Sequence, residues 1–148
     1  MLIVEMVDAF VYLGSMIDSS GGSRGEVLRR IGIARPCMNL LEKRIWKLSI
    51  SLDTKIRLYQ TYIVSVLLYG SETWSTTKLQ CSRIDAFDMW ALRKILRIPY
   101  TCHVTNVQVR ATTGCRPLSH LVIDRRLRLF GHLPAAHHKR TTTVLSLR

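Results

Sequence analysis

Apolar residues recur along this chain in two rhythms. Near the N-terminus, "DAFVYLGSMID" (8–18) sets Phe10, Tyr12 and the β-branched Val11 and Ile17 around Gly14, a composition suited to a pleated surface. It predicts one strand or a bent hairpin arm, the glycine marking a bulge or a close backbone approach. "SSGGS" (19–23) reads as a turn. The period then changes to three and four: Val27, Leu28, Ile31, Ala34, Met38, Leu41, Ile45 and Leu48 form a helical stripe. Ser23 and Glu26 open it at capping-box spacing, in which each side chain satisfies a free backbone N–H of the other residue. Pro36 interrupts the stripe, so the region is either one kinked helix or two helices end to end.

A second helix is predicted from about Leu52 to Tyr69, with Asp53 in its first turn, where a carboxylate suits the dipole, and Gly70 placed to cap it. A third spans about Thr77 to Arg97, with Ile84, Phe87, Ala91 and Ile95 on one side, and stops before Pro99. A shorter one, about Thr105 to Thr113, precedes Gly114. The last starts near Pro117 and carries Leu118, Leu121, Val122 and Phe130. No repeat and no low-complexity tract occurs. The fold class is mainly α: a short N-terminal β-element followed by about five helices.

Composition adds two bounds. At 148 residues and 47% apolar content the chain can build a core. Its 22 Lys and Arg against 10 Asp and Glu give a formal charge of +12, which points to a polyanionic partner. From Met89 onward there are 11 basic residues and a single acid, Asp124. No apolar run approaches the ~20 residues that span a bilayer, and the N-terminus, with Glu5 and Asp8, does not read as a signal peptide. Cys37, Cys81, Cys102 and Cys115 show no framework spacing and suit free thiols. The expected setting is intracellular, cytoplasmic or nuclear, without secretion and without a membrane partner.

Six blocks in fixed order, "FVYLGSMI", "RRIGIA", "TKIRLYQTYIVSVLLYGSETW", "LRKILRI", "VTNVQV" and "RRLRLFGH", resemble the region after the polymerase palm of LINE-type, non-LTR retrotransposon endonuclease–reverse transcriptases. The similarity runs over roughly residues 8–134. The resemblance implies that Phe10, Tyr12, Leu13, Gly14 and Ser15 correspond to the primer grip, the strand that holds the primer end beside the catalytic carboxylates. It implies that the following helices correspond to the thumb and post-thumb segment, which clasp the template–primer duplex. Residues 1–22 would then be the primer-grip-like β-element and turn, 23–98 the thumb-like helices, 99–134 a basic post-thumb segment and 135–148 a tail of undetermined role. Within the motifs, Tyr69, Gly70 and Trp74, and Gly131 and His132, are structural positions. Leu68, Tyr69 and Trp74 are expected as core and cap, because aromatic and apolar residues beside a helix cap ordinarily pack.

The same resemblance identifies what this sequence does not carry. The family's polymerase uses two metal ions held by clustered aspartates in a Tyr-x-Asp-Asp turn, upstream of the FxYLGS block, and only nine residues precede Phe10 here. No Asp-Asp pair occurs. No catalytic residue and no cofactor are therefore assigned to this chain; Mg²⁺ would belong to the missing palm. Asp85 and Asp88, three apart, could share an ion but are expected to be exposed. Cys102, His103, Cys115, His120, His132, His137 and His138 follow no paired metal-ligand spacing, so no metal site is expected. The chain departs from relatives at Leu129, at Cys115-Arg116 and after His132.

Cations on helices supply solvated faces, but such faces ordinarily mix signs and these do not. Arg29, Arg30, Lys43, Arg44, Lys47, Lys55, Arg57, Arg125, Arg126 and Arg128 are the expected nucleic-acid contacts, the resemblance favouring an RNA–DNA hybrid or the element's own RNA over a small-molecule substrate. The sequence does not define an oligomeric state. Three readings compete: a non-catalytic fragment of a LINE-type reverse transcriptase, a decayed element's reading frame without function, and a stand-alone basic helical DNA-binding protein.

Overall fold

The computed structural model describes residues 6–131. Two short strands, β1 (Ala9–Tyr12) and β2 (Ser15–Asp18), pair antiparallel with Phe10 opposite Ile17 and Tyr12 opposite Ser15. The expected single strand is thus a complete hairpin, and Gly14 is neither a bulge nor mid-strand. With Leu13 it forms a two-residue loop in which both residues have positive φ, 48° and 79°, the sense of turn whose twist matches the flanking strands.

Helix α1 (Arg24–Leu40) runs uninterrupted through Pro36. The break comes later, at Leu41, where the chain passes into a π-helical turn, Glu42–Trp46. The chain then turns and starts α2 (Leu52–Leu58), widens to a second π-helical stretch, Tyr59–Val64, and closes with α3 (Ser65–Leu67). These three segments stack as one rod. Gly70, at φ 73°, ends it in the left-handed conformation that glycine adopts most easily. A 3₁₀ turn, Ser71–Thr73, leads to α4 (Lys78–Ile95), followed by α5 (Asn106–Thr113) and α6 (Leu118–Leu129). The architecture is mainly α, as the periodicity predicts.

One apolar cluster joins all the long helices: Val27, Ala34 and Met38 from α1, Tyr59, Ile63 and Leu67 from the rod, Ile84, Phe87 and Leu92 from α4, Val109 from α5 and Val122 from α6. In the predicted first stripe Val27, Ala34 and Met38 are buried, while Leu28 and Leu48 are exposed. Trp46 is fully enclosed and donates its indole N–H to the Met38 carbonyl at 2.9 Å, so the π turn is fastened back onto α1.

Ser23 and Glu26 do not form the expected capping box. Ser23 Oγ accepts from the Ser75 amide (2.8 Å) and Glu26 from the Met16 amide (2.8 Å), so both side chains are used between elements. Reciprocal boxes occur instead at Thr77/Gln80 and Thr105/Gln108.

Candidate nucleic-acid interface

The blocks that are far apart in sequence converge on the hairpin turn. The Gly14 carbonyl accepts from Arg29 Nη1 at 3.0 Å and from Arg30 Nη2. The Leu13 carbonyl accepts from the Tyr69 hydroxyl at 3.0 Å. A two-residue loop points its carbonyls outward, away from ladder partners, so each needs an external donor; α1 and the end of the rod supply them. Arg30 also lies over the Tyr69 ring, 4.6 Å from its centroid, and its Nε donates to Glu26 at 2.7 Å. Glu26 is itself buried. It is an acceptor for both arginines and for the second strand, so this one carboxylate organises the junction. Met16 packs on α1, its sulfur 3.0 Å from where a side chain on Gly25 would begin.

The last block joins at the same place. Arg125, on α6, donates to the Leu68 carbonyl at 2.8 Å and to Ser71 Oγ at 3.4 Å. Helix ends free carbonyls for other donors, and the Leu68 carbonyl just before Gly70 accepts both from the Ser71 amide, at 3.1 Å, and from this arginine of a distant helix. Trp74 is buried beyond the turn, and its indole N–H finds no partner among the described residues. Gly70, Tyr69, Tyr12, Leu13, Ser15 and Arg125 border an open cleft of about 410 Å³. Tyr69 departs from the expectation of core packing: it is half-exposed and acts through its hydroxyl.

The predicted contacts divide accordingly. Arg30 and Lys55 are buried, and Lys55 Nζ donates to the Trp46 carbonyl at 2.8 Å, capping the π turn. Arg29 and Arg125 are partly buried and bound to backbone carbonyls. Lys43, Arg44, Lys47, Arg57 and Arg128 are exposed, and Arg126 is half-buried. Lys47 and Arg57 make solvent-exposed pairs with Glu42 (3.7 Å) and Asp53 (3.2 Å), of little energetic weight.

The exposed cations of the π turn have neighbours that sequence reasoning left out of the site. Lys94, near the end of α4, bridges to Glu42 at 2.8 Å and donates to Asn39 at 2.7 Å. Its ammonium and the Arg35 guanidinium both lie over the Trp90 ring, at 5.2 and 4.8 Å. The C-terminal ends of α1 and α4 thereby meet: Lys94 and Lys47 both pair with Glu42, Lys43 and Arg44 share its π turn, and Arg97 follows α4 three residues after Lys94. The Lys94 hydrogen bond outweighs the opposing effect of burial and, with the charges of Lys94 and Lys47, holds the Glu42 carboxyl below its ordinary range. The signal in the sequence was the clustering of cations in 43–47 and 93–97; their adjacency depends on tertiary packing.

Phe10, Tyr12 and Leu13 are exposed on the hairpin, while Gly14 and Ser15 sit at the clamp. Gly131 has a left-handed φ of 66° just past α6. His132 and the segment 135–148 lie outside the described residues. The expectation of an exposed Asp85–Asp88 pair is overturned. Asp88 is buried and accepts from the Tyr59 hydroxyl at 2.7 Å and from Arg110. Asp85 accepts from the Ser119 amide and hydroxyl at 3.0 and 2.7 Å. Burial raises the Asp88 carboxyl above its ordinary pKa, against the opposing pull of Tyr59 and Arg110. Burial, then the neighbouring Asp88 charge, raises the Tyr59 hydroxyl well above its own. The two aspartates hold α5 and α6 onto α4. Among the described residues no three His, Cys, Asp or Glu side chains gather as a metal site would need, and no helix is long and apolar enough to cross a membrane.

A Caenorhabditis elegans protein described as uncharacterized and transposon-derived is 25% identical over 149 residues. The alignment covers 97% of this chain and 52% of that protein, so the chain spans about half the length of the curated relative it matches. No protein-family model matches the chain, and no solved structure does. The chain is thus similar to a transposon-derived protein.

Proposed function

We propose that this chain is the thumb-like portion of a LINE-type retrotransposon reverse transcriptase and grips a template–primer duplex or the element's RNA without performing chemistry itself. The observation that carries the reading is the convergence of "YLGS", "RR", "LLYGSETW" and "RRLR" on one turn and its cleft. Blocks that resemble one family in the same order form one physical junction here, which favours descent over chance. The transposon-derived relative supports the broader origin. The exposed cations of the π turn, with Lys94 and Arg97 beside them, supply the surface for phosphates.

The test is binding of the full chain to an RNA–DNA hybrid across a salt series. Affinity should fall linearly on logarithmic axes, by about 0.7–0.9 per phosphate contacted. Lys43→Ala with Arg44→Ala should reduce that slope by about 2 while leaving thermal unfolding unchanged. A slope that ignores both substitutions would reject this surface, and a flat slope would reject nucleic-acid binding.

A second reading, a decayed transposon reading frame, is favoured by the hairpin, whose Phe10, Val11, Tyr12, Leu13 and Ile17 are all largely exposed. A two-stranded ribbon is marginal on its own. Cooperative thermal unfolding of the chain would oppose that reading; a featureless melt with no hybrid binding would favour it.

A further inference from the structure

A predominantly apolar cleft lies elsewhere, between the C-terminal half of α1 and the rod. It has a volume of about 470 Å³ and is bordered by Leu40, Leu41, Ile45, Leu58, Tyr62 and Val66. Leu40 is 68% and Tyr62 56% exposed, so two large side chains stand at its mouth in water. The trough gathers large apolar side chains from two helical segments in one concave surface, the shape on which the apolar face of an amphipathic helix seats. Along the rod the trough runs from Leu58 to Val66, across the π-helical stretch. Both π-helical stretches border the trough, and such distortions are frequently found at functional sites.

Charge selects the partner. Lys43, Arg44 and Lys47 are exposed beside Leu41 and Ile45, and the chain as a whole carries +12. A second copy would bring the same excess of positive charge and be repelled. Phosphates and base edges have no use for an apolar trough. We propose that this groove receives an acidic amphipathic helix from a protein partner. Its large apolar residues at i, i+3 or i+4, and i+7 would enter the trough, and its Asp or Glu flanks would face the π turn. The apolar trough is separate from the phosphate surface, but both readings draw on the exposed cations Lys43, Arg44 and Lys47 of the π turn, so dependence on Leu40 and Tyr62 is what distinguishes helix binding from nucleic-acid binding.

The probe is a displayed library of helices of about 15 residues, near the length at which isolated helices become marginal in water. Leucine is fixed along one face and the flanking positions are randomised, and selection is made on the full chain. Enriched clones should carry an excess of Asp and Glu at the flanks. They should bind Leu40→Ser/Tyr62→Ser at least about tenfold more weakly, as expected when central anchors are lost. Those two side chains are mostly solvated, so the double variant should melt with the parent; should it not, Leu40→Ala alone supplies the comparison. A selected helix should also slow alkylation of Cys37, which borders the groove, by N-ethylmaleimide several-fold. Clones that bind parent and variant equally, enrichment without acidic bias, or competition by poly(U) RNA that itself depends on Leu40 and Tyr62 would each overturn the proposal.

Discussion

Replacing Arg30 with methionine tests whether this arginine is a clamp or a nucleic-acid contact. The side chain is buried, and it makes an ion pair at 2.7 Å with a carboxylate that is 3% exposed. Truncating one partner of a buried pair costs about 3–5 kcal/mol, because the other charge is left uncompensated. Glu26 keeps the Met16 amide and Arg29, whose guanidinium is 3.3 Å away, so the loss should sit lower, at about 2–3 kcal/mol. For a domain whose total stability is on the order of 5–15 kcal/mol, that is a large fraction. With a urea slope of about 2 kcal/mol per molar, the midpoint should move down by roughly 1 M. Glu26→Gln added to Arg30→Met removes the stranded charge while keeping an acceptor for Met16, and should recover half or more of the loss. Urea unfolding of the four proteins completes the cycle, with amide exchange at Met16 reporting the hairpin. If Arg30→Met shifts the midpoint by less than about 0.2 M, or if the double variant is simply additive, the clamp reasoning is wrong. If the single variant instead lowers the salt slope of hybrid binding without loss of stability, Arg30 contacts phosphate.

Two further outcomes follow from single residues. Asp88 has a folded pKa raised above its ordinary 3.8 by burial, so it binds more protons folded than unfolded. Its contribution is fully present below that value and is lost as pH rises through the raised one. Parent stability minus that of Asp88→Asn should therefore decline with rising pH across that window and level off above it; an increase would reverse the assignment. Gly70→Ala should cost about 1–2 kcal/mol from left-handed strain alone, since an added Cβ would meet only Ser15 Oγ, at an ordinary 3.5 Å. Gly70→Asn should cost less, and equal losses for the two would implicate contacts instead of backbone.

The helices were legible because their apolar periodicity is set by burial on one side. Gly70 and Gly114 marked ends for the same reason, both standing at positive φ. The hairpin was half-read: Phe10 to Ile17 carries strand residues throughout, and nothing in side-chain composition reveals that Leu13, a residue with a Cβ, adopts φ 48°. The break expected at Pro36 lies instead at Leu41: α1 continues through the proline, and the π turn that follows is fastened by Trp46 reaching back to Met38, a tertiary contact no local signal reveals. The capping box failed for a similar reason. Glu26 finds a stronger use with Arg30 than with the Ser23 amide, and only the tertiary arrangement decides between them. Asp88 was misread as exposed, since a carboxylate three residues from another gives no sign of a tyrosine and an arginine converging from other helices.

The basic residues show the same distinction acting on function. A count of cations cannot tell one that offers its charge to a partner from one that serves as a hydrogen-bond donor to the chain's own carbonyls. Of the ten singled out, Arg29, Arg30, Lys55 and Arg125 donate to backbone carbonyls of Gly14, Trp46 or Leu68, and removing them would disturb the fold before it disturbed binding. Lys43, Arg44, Lys47, Arg57, Arg126 and Arg128 remain, and the weak exposed pairs of Lys47 and Arg57 can exchange for phosphate at little cost. At about 0.9 per phosphate these six allow a salt slope near 5 on a duplex, and recruiting Lys94 and Arg97 would raise it further. A measured slope well below that, together with full loss on removing Lys43 and Arg44, would mean that the α1–α4 end alone makes contact and that α6 uses its arginines to hold the fold together.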